Sequence, residues 1–154
     1  MNNYYNCDIE QLVSHRGHML LLNRVIEASR LHAVAEITIS KDSTFYQPDQ
    51  GVPAWAGIEY MAQAVAVLGG VQAMEDSDPV PMGYLLGTRK YHCELPWFES
   101  GCVLRVRCEE EVLDGNGLGA YSCQMTVTPF EEKDIVAQSR LTVYKMPVTE
   151  QGKG

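Results

Sequence analysis

The longest regular pattern in the chain is a run of apolar residues at helical spacing near its centre. The recurring positions are Ile58, Met61, Ala62, Val65 and Leu68. Ala64, Ala66 and Val67 make the opposite face apolar as well. Pro53 suits a first helical turn, and the polar stretch after Glu75 ends the pattern. The sequence therefore predicts a helix from Pro53 to about Glu75 that is buried on all sides, because it is apolar all round.

The rest of the chain is dominated by strand patterns. Two precede the helix, "HMLLLNRVIEAS" and "LHAVAEITIS", joined by a tight connection near Ser29 and Arg30; the second alternates like a half-buried strand. Four follow it: "GYLLGTRKYHCE", "CVLRVRCEEEVL", "LGAYSCQMTVTPF" and "DIVAQSRLTVYKM". Turns are predicted at 115–117 and in "PFEEKD". A short helix capped by Asp8 is predicted in "DIEQLVSH", and a frayed tail in "PVTEQGKG".

This order of elements predicts an α+β protein. A curved antiparallel sheet wrapped around one long central helix, the hotdog fold, accommodates two strands, one buried helix and four strands. We expect residues 1–154 to form a single domain. The sheet of one chain covers only one side of the helix, so we expect a dimer with active sites at the shared seam.

Composition narrows the classes of function. A net charge of −8 argues against nucleic acid and against an anionic membrane surface as partners. No apolar run reaches the roughly 18 residues of a membrane span, and no secretory signal is visible, so we expect a cytoplasmic protein. The five cysteines show no CxxC spacing. We therefore expect neither a disulfide framework nor a metal site, and no cofactor.

Three blocks of the sequence resemble those of 3-hydroxyacyl acyl-carrier-protein dehydratases, in the same order. "SHRGHMLLLNRV" resembles their "PHR…LL.DRV" opening, and "GIEYMAQAVA" resembles their central-helix "E..AQ" signature. "GYLLGTRKYHCELPWFESGCVLRVRC" resembles their third block, and together the blocks cover Ser14 to Cys108. Within that family, the chain is most similar to the dehydratase-like proteins of aryl-polyene and related type II polyketide gene clusters.

The resemblance implies dehydration of 3-hydroxyacyl thioesters in fatty acid or polyketide-type biosynthesis. The implied partners are an acyl carrier protein with a phosphopantetheine-linked substrate, and a second hotdog subunit in a homodimer or heterodimer. One departure concerns the catalytic histidine of the family's "FFxGHFP" segment. The corresponding "FYQPDQGVP" contains no histidine, and Asp49 falls nearest the missing position.

Dehydration requires a base near C2, an acid near the C3 hydroxyl and donors to the thioester oxygen. Glu59 fits the acid, because an apolar setting raises the pKa of a carboxyl group, and Gln63 lies one turn away where it can orient Glu59. The alternative is that Glu59 merely complements the helix dipole. Backbone amides from Ala54 to Gly57 are candidate donors, since the first amides of a helix lack partners and small residues permit close approach.

Two residues, His15 and Asp49, are candidates for the base that takes the C2 proton. His15 matches the histidine of the family's "PHR" block and has an ordinary pKa near neutrality. Asp49 would need an apolar pocket to become comparably basic. We expect structural or surface roles for His32 and His92.

The basic residues near the resemblance blocks are either contacts for the phosphate or the acidic carrier protein, or solvated charges. They are Arg16, Arg89 and Lys90.

Two other functions fit the same fold. A thioesterase also places a carboxylate on the central helix and uses water as the nucleophile. A catalytically silent subunit that pairs with an active dehydratase would explain the missing histidine, although it has little physical reason to keep Glu59 and Gln63.

Overall fold

The computed structural model describes residues 2–128 and 134–146, apart from the side chain of Tyr84. Short 3-10 helices lie at Ile9–Gln11 and Gly17–Met19. The other elements, in chain order, are β1 (Tyr4–Tyr5), β2 (Arg24–Ala28), β3 (His32–Thr38), β4 (Val52–Pro53), α1 (Ala56–Glu75), β5 (Gly83–Cys93), β6 (Trp97–Phe98), β7 (Val103–Leu113), β8 (Leu118–Val127) and β9 (Ile135–Lys145).

Seven of these strands form an antiparallel sheet in the order β1-β2-β3-β7-β8-β9-β5, against which α1 packs. The predicted α+β hotdog architecture is confirmed. The four strands predicted after the helix correspond to β5, β7, β8 and β9, and the predicted turn at 115–117 connects β7 to β8. The "PFEEKD" turn, up to residue 133, and the "PVTEQGKG" tail lie outside the described residues.

The start of the helix differs from the prediction. Val52 and Pro53 pair with Phe98 and Trp97 in a separate two-stranded sheet, so the helix begins at Ala56 and not at Pro53. A proline can occupy the first turn of a helix or an edge strand, and here pairing with a distant segment decides for the strand. The predicted end of the helix at Glu75 is confirmed.

One side of α1 is not covered by its own sheet, as expected, so burial of the helix on all sides would require a second subunit. Trp55, just before the helix, is 52% exposed. We call this uncovered face the open stripe; it consists of Trp55, Ile58, Glu59, Ala62 and Ala66. Trp55 and Glu59 are exposed, and the other three residues are half-buried. The remaining residues of the helix, up to Ala73, are buried. A mostly apolar stripe on a central helix is a surface that a second subunit would cover.

The N-terminal segment, residues 12–21, packs along α1. Near one end a side chain at Gly70 would overlap the carbonyl of Leu12, and near the other the Gln63 amide bonds to the backbone of Met19 and Leu21. Because this segment is held on the helix, the first predicted strand is shorter than expected and begins only at Arg24.

Strand β3 is buried on both faces, and not half-buried as its alternation predicts. Glu36 on its outer face is only 6% exposed because two arginines cover it. Arg24 donates to its carboxylate at 2.9 Å and Arg105 at 2.5 Å. Burial alone would raise the pKa of Glu36, but the hydrogen bonds and charges of both arginines outweigh it and lower the pKa.

This ion-pair cluster predicts a pH-dependent contribution to stability. Because the folded-state pKa lies below the ordinary value of 4.5, the contribution is present above that pH and is lost as pH falls through the folded pKa. We expect Glu36→Gln to lower the free energy of unfolding by about 1 to 3 kcal/mol at pH 7 and to flatten its decline below pH 4.5. Urea unfolding at several pH values measures both effects. An equally steep acid limb in the variant would contradict the assignment.

Candidate active site

The first turn of α1 is held in place through Ala54. Its N–H donates to the Pro96 carbonyl at 3.1 Å. Its own carbonyl accepts the Gly57 N–H at 3.0 Å and the Tyr91 hydroxyl at 2.5 Å. The backbone amides of Ala54 and Gly57 are therefore already engaged, so their predicted role as donors to a thioester oxygen is wrong.

The two residues between them have N–H groups without a hydrogen bond to any described residue. Neither Trp55 nor Ala56 donates its N–H to any acceptor among residues 2–128 and 134–146. These N–H groups stand at the positive end of the helix dipole, where developing negative charge is stabilised. Ala56 is 0% exposed, so its N–H is enclosed in the single chain, whereas Trp55 is 52% exposed. Trp55 is thus the residue of the predicted 54–57 stretch whose N–H can donate to an oxyanion.

Gly57 is explained by a tyrosine that the sequence analysis did not single out. A side chain at Gly57 would overlap the hydroxyl of Tyr91, so glycine is required for this contact and not for approach of a thioester. Burial raises the pKa of Tyr91, which keeps its hydroxyl protonated as a donor to Ala54. The signal available in the sequence was the aromatic residue that follows Lys90 in the third resemblance block.

We expect Gly57→Ala to destabilise the protein by about 1 to 3 kcal/mol, because the added methyl group overlaps the Tyr91 hydroxyl, although alanine favours helix. In a Tyr91→Phe background the hydroxyl is gone and the same substitution should cost less. A double-mutant cycle of unfolding free energies measures this coupling. Equal costs in both backgrounds would show that Tyr91 is not the reason for the glycine.

Glu59 lies on the open stripe, one turn into α1. Its carboxylate has no hydrogen bond or ion pair with any other described residue. The apolar surroundings predicted for it are not provided by the single chain, because the sheet packs on the other side of the helix. The carboxylate is therefore free to meet a substrate or a second subunit.

His15 lies in the N-terminal segment beside this part of α1. Its Nδ1 atom is buried and has no hydrogen-bond partner in the described part of the chain. Burial is the main cause that lowers the pKa of His15, the Arg16 charge lowers it further, and the Glu59 carboxylate opposes both. The imidazole and the Glu59 carboxylate are thus within electrostatic reach of each other. A lowered pKa keeps His15 neutral at pH 7, the form that can accept a proton.

The Gln63 amide is used differently from the prediction. Its Oε1 accepts the Leu21 N–H at 2.9 Å and its Nε2 donates to the Met19 carbonyl at 2.6 Å. The side chain is buried, and both ends of the amide are committed to the backbone. Gln63 therefore holds the N-terminal segment on α1 instead of orienting Glu59 or offering its amide to a substrate.

Asp49 stands at the exposed tip of a tight turn, where its backbone has a φ of 65° and a bridge between Gln47 and Gly51 closes the turn. An exposed turn offers no apolar pocket that would raise the basicity of a carboxylate.

The three basic candidates fall into two groups. The Arg16 guanidinium donates to the carbonyls of Glu10, Val13 and His15, so it braces the N-terminal segment and is not free for phosphate. Arg89 and Lys90 are exposed on β5, and their charged groups contact no other described residue.

Two of the other three histidines, His32 and His92, have partners away from this site. His32 contacts Ser29 at 2.7 Å and Glu27 at 3.0 Å, while His92 pairs with Glu94 on the surface.

The described residues contain neither a metal-binding cluster nor a membrane-spanning helix. No group of three or more His, Cys, Asp or Glu side chains there could hold a metal ion. No described helix has the length and apolar character needed to cross a membrane.

Comparisons with known proteins agree on a family. The model of the ApeP-like family, described as ApeP dehydratase, matches residues 7–152. A chain of the dehydratase heterocomplex ApeI:P from Xenorhabdus doucetiae is 28% identical, with a TM-score of 0.82 and 97% of each chain covered. No curated protein sequence matches the chain.

More distant structures share the fold alone. The PaaI protein from the E. coli phenylacetic acid degradation operon is 15% identical, with a TM-score of 0.59 and coverage of 78% of this chain and 80% of its own. A hypothetical thioesterase from Streptococcus pneumoniae with coenzyme A is 13% identical, with a TM-score of 0.60 and coverage of 80% and 85%.

Proposed function

The chain belongs to the ApeP-like dehydratase family, and from this premise we propose that it dehydrates 3-hydroxyacyl thioesters carried on acyl carrier protein, in aryl polyene or related polyketide-type biosynthesis. The observation that carries the proposal is the placement of a neutral imidazole, His15, within electrostatic reach of an unpaired carboxyl group, Glu59, beside the unpaired Trp55 N–H at the start of α1. An acid, a base and oxyanion donors are the three groups that the reaction needs.

Each group has one task in the proposed reaction. His15 takes the proton from C2, and the electron pair of that C–H bond forms the C2–C3 double bond. Trp55 donates its N–H group to the thioester oxygen as enolate charge develops. Glu59, in its protonated form, gives its proton to the C3 hydroxyl, so that the C3–O bond breaks and water leaves. Transfer of a proton from His15 back to Glu59 completes the cycle.

We further propose that a related hotdog subunit covers the open stripe. The ApeI:P structure is a heterocomplex, and its similarity to this chain extends over 97% of the length. The stripe is apolar except for Glu59, so a cover would also supply the dry surroundings that raise the pKa of a carboxyl group. A heterodimer is favoured over a homodimer by this comparison.

Arg89 and Lys90 are our candidates for the phosphate of phosphopantetheine. Both are exposed on β5 next to Tyr91, whose hydroxyl reaches the start of α1. Free cations on a chain of net charge −8 are suited to an anionic prosthetic group or to an acidic carrier protein.

The test uses the protein alone and co-expressed with a related hotdog subunit. A 3-hydroxyacyl thioester is offered on carrier protein and on free pantetheine, and mass spectrometry follows loss of water. We expect an enoyl product, formed faster from the carrier-linked substrate. Release of a free thiol without an enoyl product would replace the proposal by the thioesterase. Absence of turnover in every combination would overturn it.

A second candidate is a subunit that supports catalysis in its partner. The loop "FYQPDQGVP" lacks the family's histidine, and the similar ApeI:P structure contains two kinds of subunit. This candidate predicts that the base comes from the partner and that loss of His15 leaves the activity of the complex unchanged.

A further inference from the structure

The position of the His15 ring is not secured through its buried nitrogen. Nδ1 is buried and has no hydrogen-bond partner among the described residues. A catalytic imidazole is commonly oriented by a hydrogen bond to its second nitrogen. Without such a bond at Nδ1, the distance between His15 and Glu59 depends on how the backbone around His15 is attached to the rest of the protein.

That backbone is attached to α1 at two places. Three residues before His15, the Leu12 carbonyl lies so close to Gly70 that no side chain fits there. Four and six residues after His15, Met19 and Leu21 are bonded by the two ends of the Gln63 amide. The second attachment lies one turn from Glu59 on the same helix.

We propose that Gln63 is a positioning residue for the dehydration, which holds the segment that carries His15 against α1 and thereby sets the separation of His15 from Glu59. The inference rests on the proposed function, since it assigns Gln63 to the reaction of those two residues. It also accounts for a carboxylate and a carboxamide one turn apart on this helix: one is the acid, and the other anchors the segment of the base.

The chemistry of the site calls for an amide. The segment presents one backbone donor, the Leu21 N–H, and one backbone acceptor, the Met19 carbonyl. A carboxamide matches both, whereas a carboxylate would place an oxygen against the Met19 carbonyl. Gln63 is 6% exposed, so water cannot readily replace either bond.

The chain contains a matched control on the same helix. Gln72 is also 6% exposed, and its amide also bridges separate parts of the chain: Nε2 donates to the Arg30 carbonyl at 2.7 Å and to the Glu110 carboxylate at 3.2 Å, and Oε1 accepts from Lys145 at 2.5 Å. It lies nine residues beyond Gln63, roughly 13 Å along the helix. Gln63→Met and Gln72→Met therefore each remove a buried amide bridge, but only the first concerns His15.

The experiment compares these two variants in the active complex by unfolding, by kcat and KM, and by NMR titration of the His15 ring. We expect similar losses of stability. We expect Gln63→Met alone to lower kcat by about 10- to 100-fold with little change in KM, since misplacing a catalytic group by about 1 Å has effects of this size. We also expect its His15 pKa to rise toward 6.5, because a loosened segment exposes the ring.

Thr44→Val keeps the test decisive if Gln63→Met does not fold. The Thr44 hydroxyl donates to the His18 carbonyl at 2.8 Å, so its loss loosens the same segment from another element. It should lower kcat in the same direction by a few-fold. Equal loss of kcat in Gln63→Met and Gln72→Met, or an unchanged kcat and His15 titration in the folded Gln63→Met, would overturn the inference.

Failure of the proposed function is distinguishable from failure of this inference. If the wild-type complex does not dehydrate the thioester, the proposed function fails. The NMR titration of His15 then tests on its own whether Gln63 positions the segment that carries His15. A shift in Gln63→Met that is absent in Gln72→Met supports positioning by Gln63. No shift in either variant overturns it.

Discussion

Replacing Glu59 with glutamine should lower the rate of enoyl formation by about 10²- to 10⁴-fold, the usual contribution of a general acid, while the fold remains intact. Glutamine preserves the shape of the side chain but has no proton to give to the leaving hydroxyl. Glu59 contacts no other described residue through its carboxylate, so the substitution breaks no hydrogen bond of the single chain. Steady-state rates and circular dichroism of the variant measure the two parts of the prediction.

Glu75→Gln is the matched control for this prediction. Glu75 lies at the other end of the same helix and accepts a hydrogen bond from Tyr4 at 2.7 Å. The control removes the same charge at a distance from the site, so it should affect stability more than turnover. Unchanged activity in Glu59→Gln would exclude Glu59 as the acid.

Replacing His15 with alanine should cost about as much as the loss of Glu59, roughly 10²- to 10⁴-fold in kcat, because the C2 proton then lacks its base. Asp49→Asn should cost little, since Asp49 is exposed on a turn. The pH profile gives a further check. Because the His15 pKa is lowered from 6.5, the limb of the kcat/KM profile that reports the base should lie below pH 6.5.

The outcome with His15→Ala also separates the two candidate functions. Full activity of this variant in complex with the related subunit would remove His15 as the base and leave the supporting subunit as the better description. Loss of activity in the complex, with an unchanged His15→Ala fold, would place the base in this chain.

The four strands after the helix that have ten or eleven residues, β5, β7, β8 and β9, were predictable because their patterns are long. The stretch that begins at Gly83 was predicted to end at residue 94, and β5 ends at Cys93. The end of the helix at Glu75 was predictable because the apolar pattern stops there. Each of these boundaries is marked by a change of residue type within a few positions, which local pattern detects. The ordered blocks and the Glu59–Gln63 spacing were visible in the same way.

Contacts between distant parts of the chain determine where the helix starts and which groups the Gln63 amide bonds. Pro53 pairs with Trp97 because β6 lies beside it, and no residue near Pro53 in the sequence indicates this pairing. The partners of the Gln63 amide lie 42 and 44 residues away. Both are backbone atoms, which every residue has, so the residue types at those positions do not reveal the contact. An amide on a helix can bond in many directions, and only the path of the N-terminal segment selects one of them.

By itself, the sequence determined which elements form and which chemical groups are available: a sheet, one central helix, and Glu59 and His15 as acid and base candidates. The tertiary structure decided which groups are free. The N–H groups of Ala54 and Gly57 have backbone partners, and that of the exposed Trp55 has none among the described residues. The tertiary structure also exposed the helix face that carries Glu59. The physical reason is that periodicity records which residues are apolar, whereas burial and hydrogen bonding depend on which distant surface comes to lie against them.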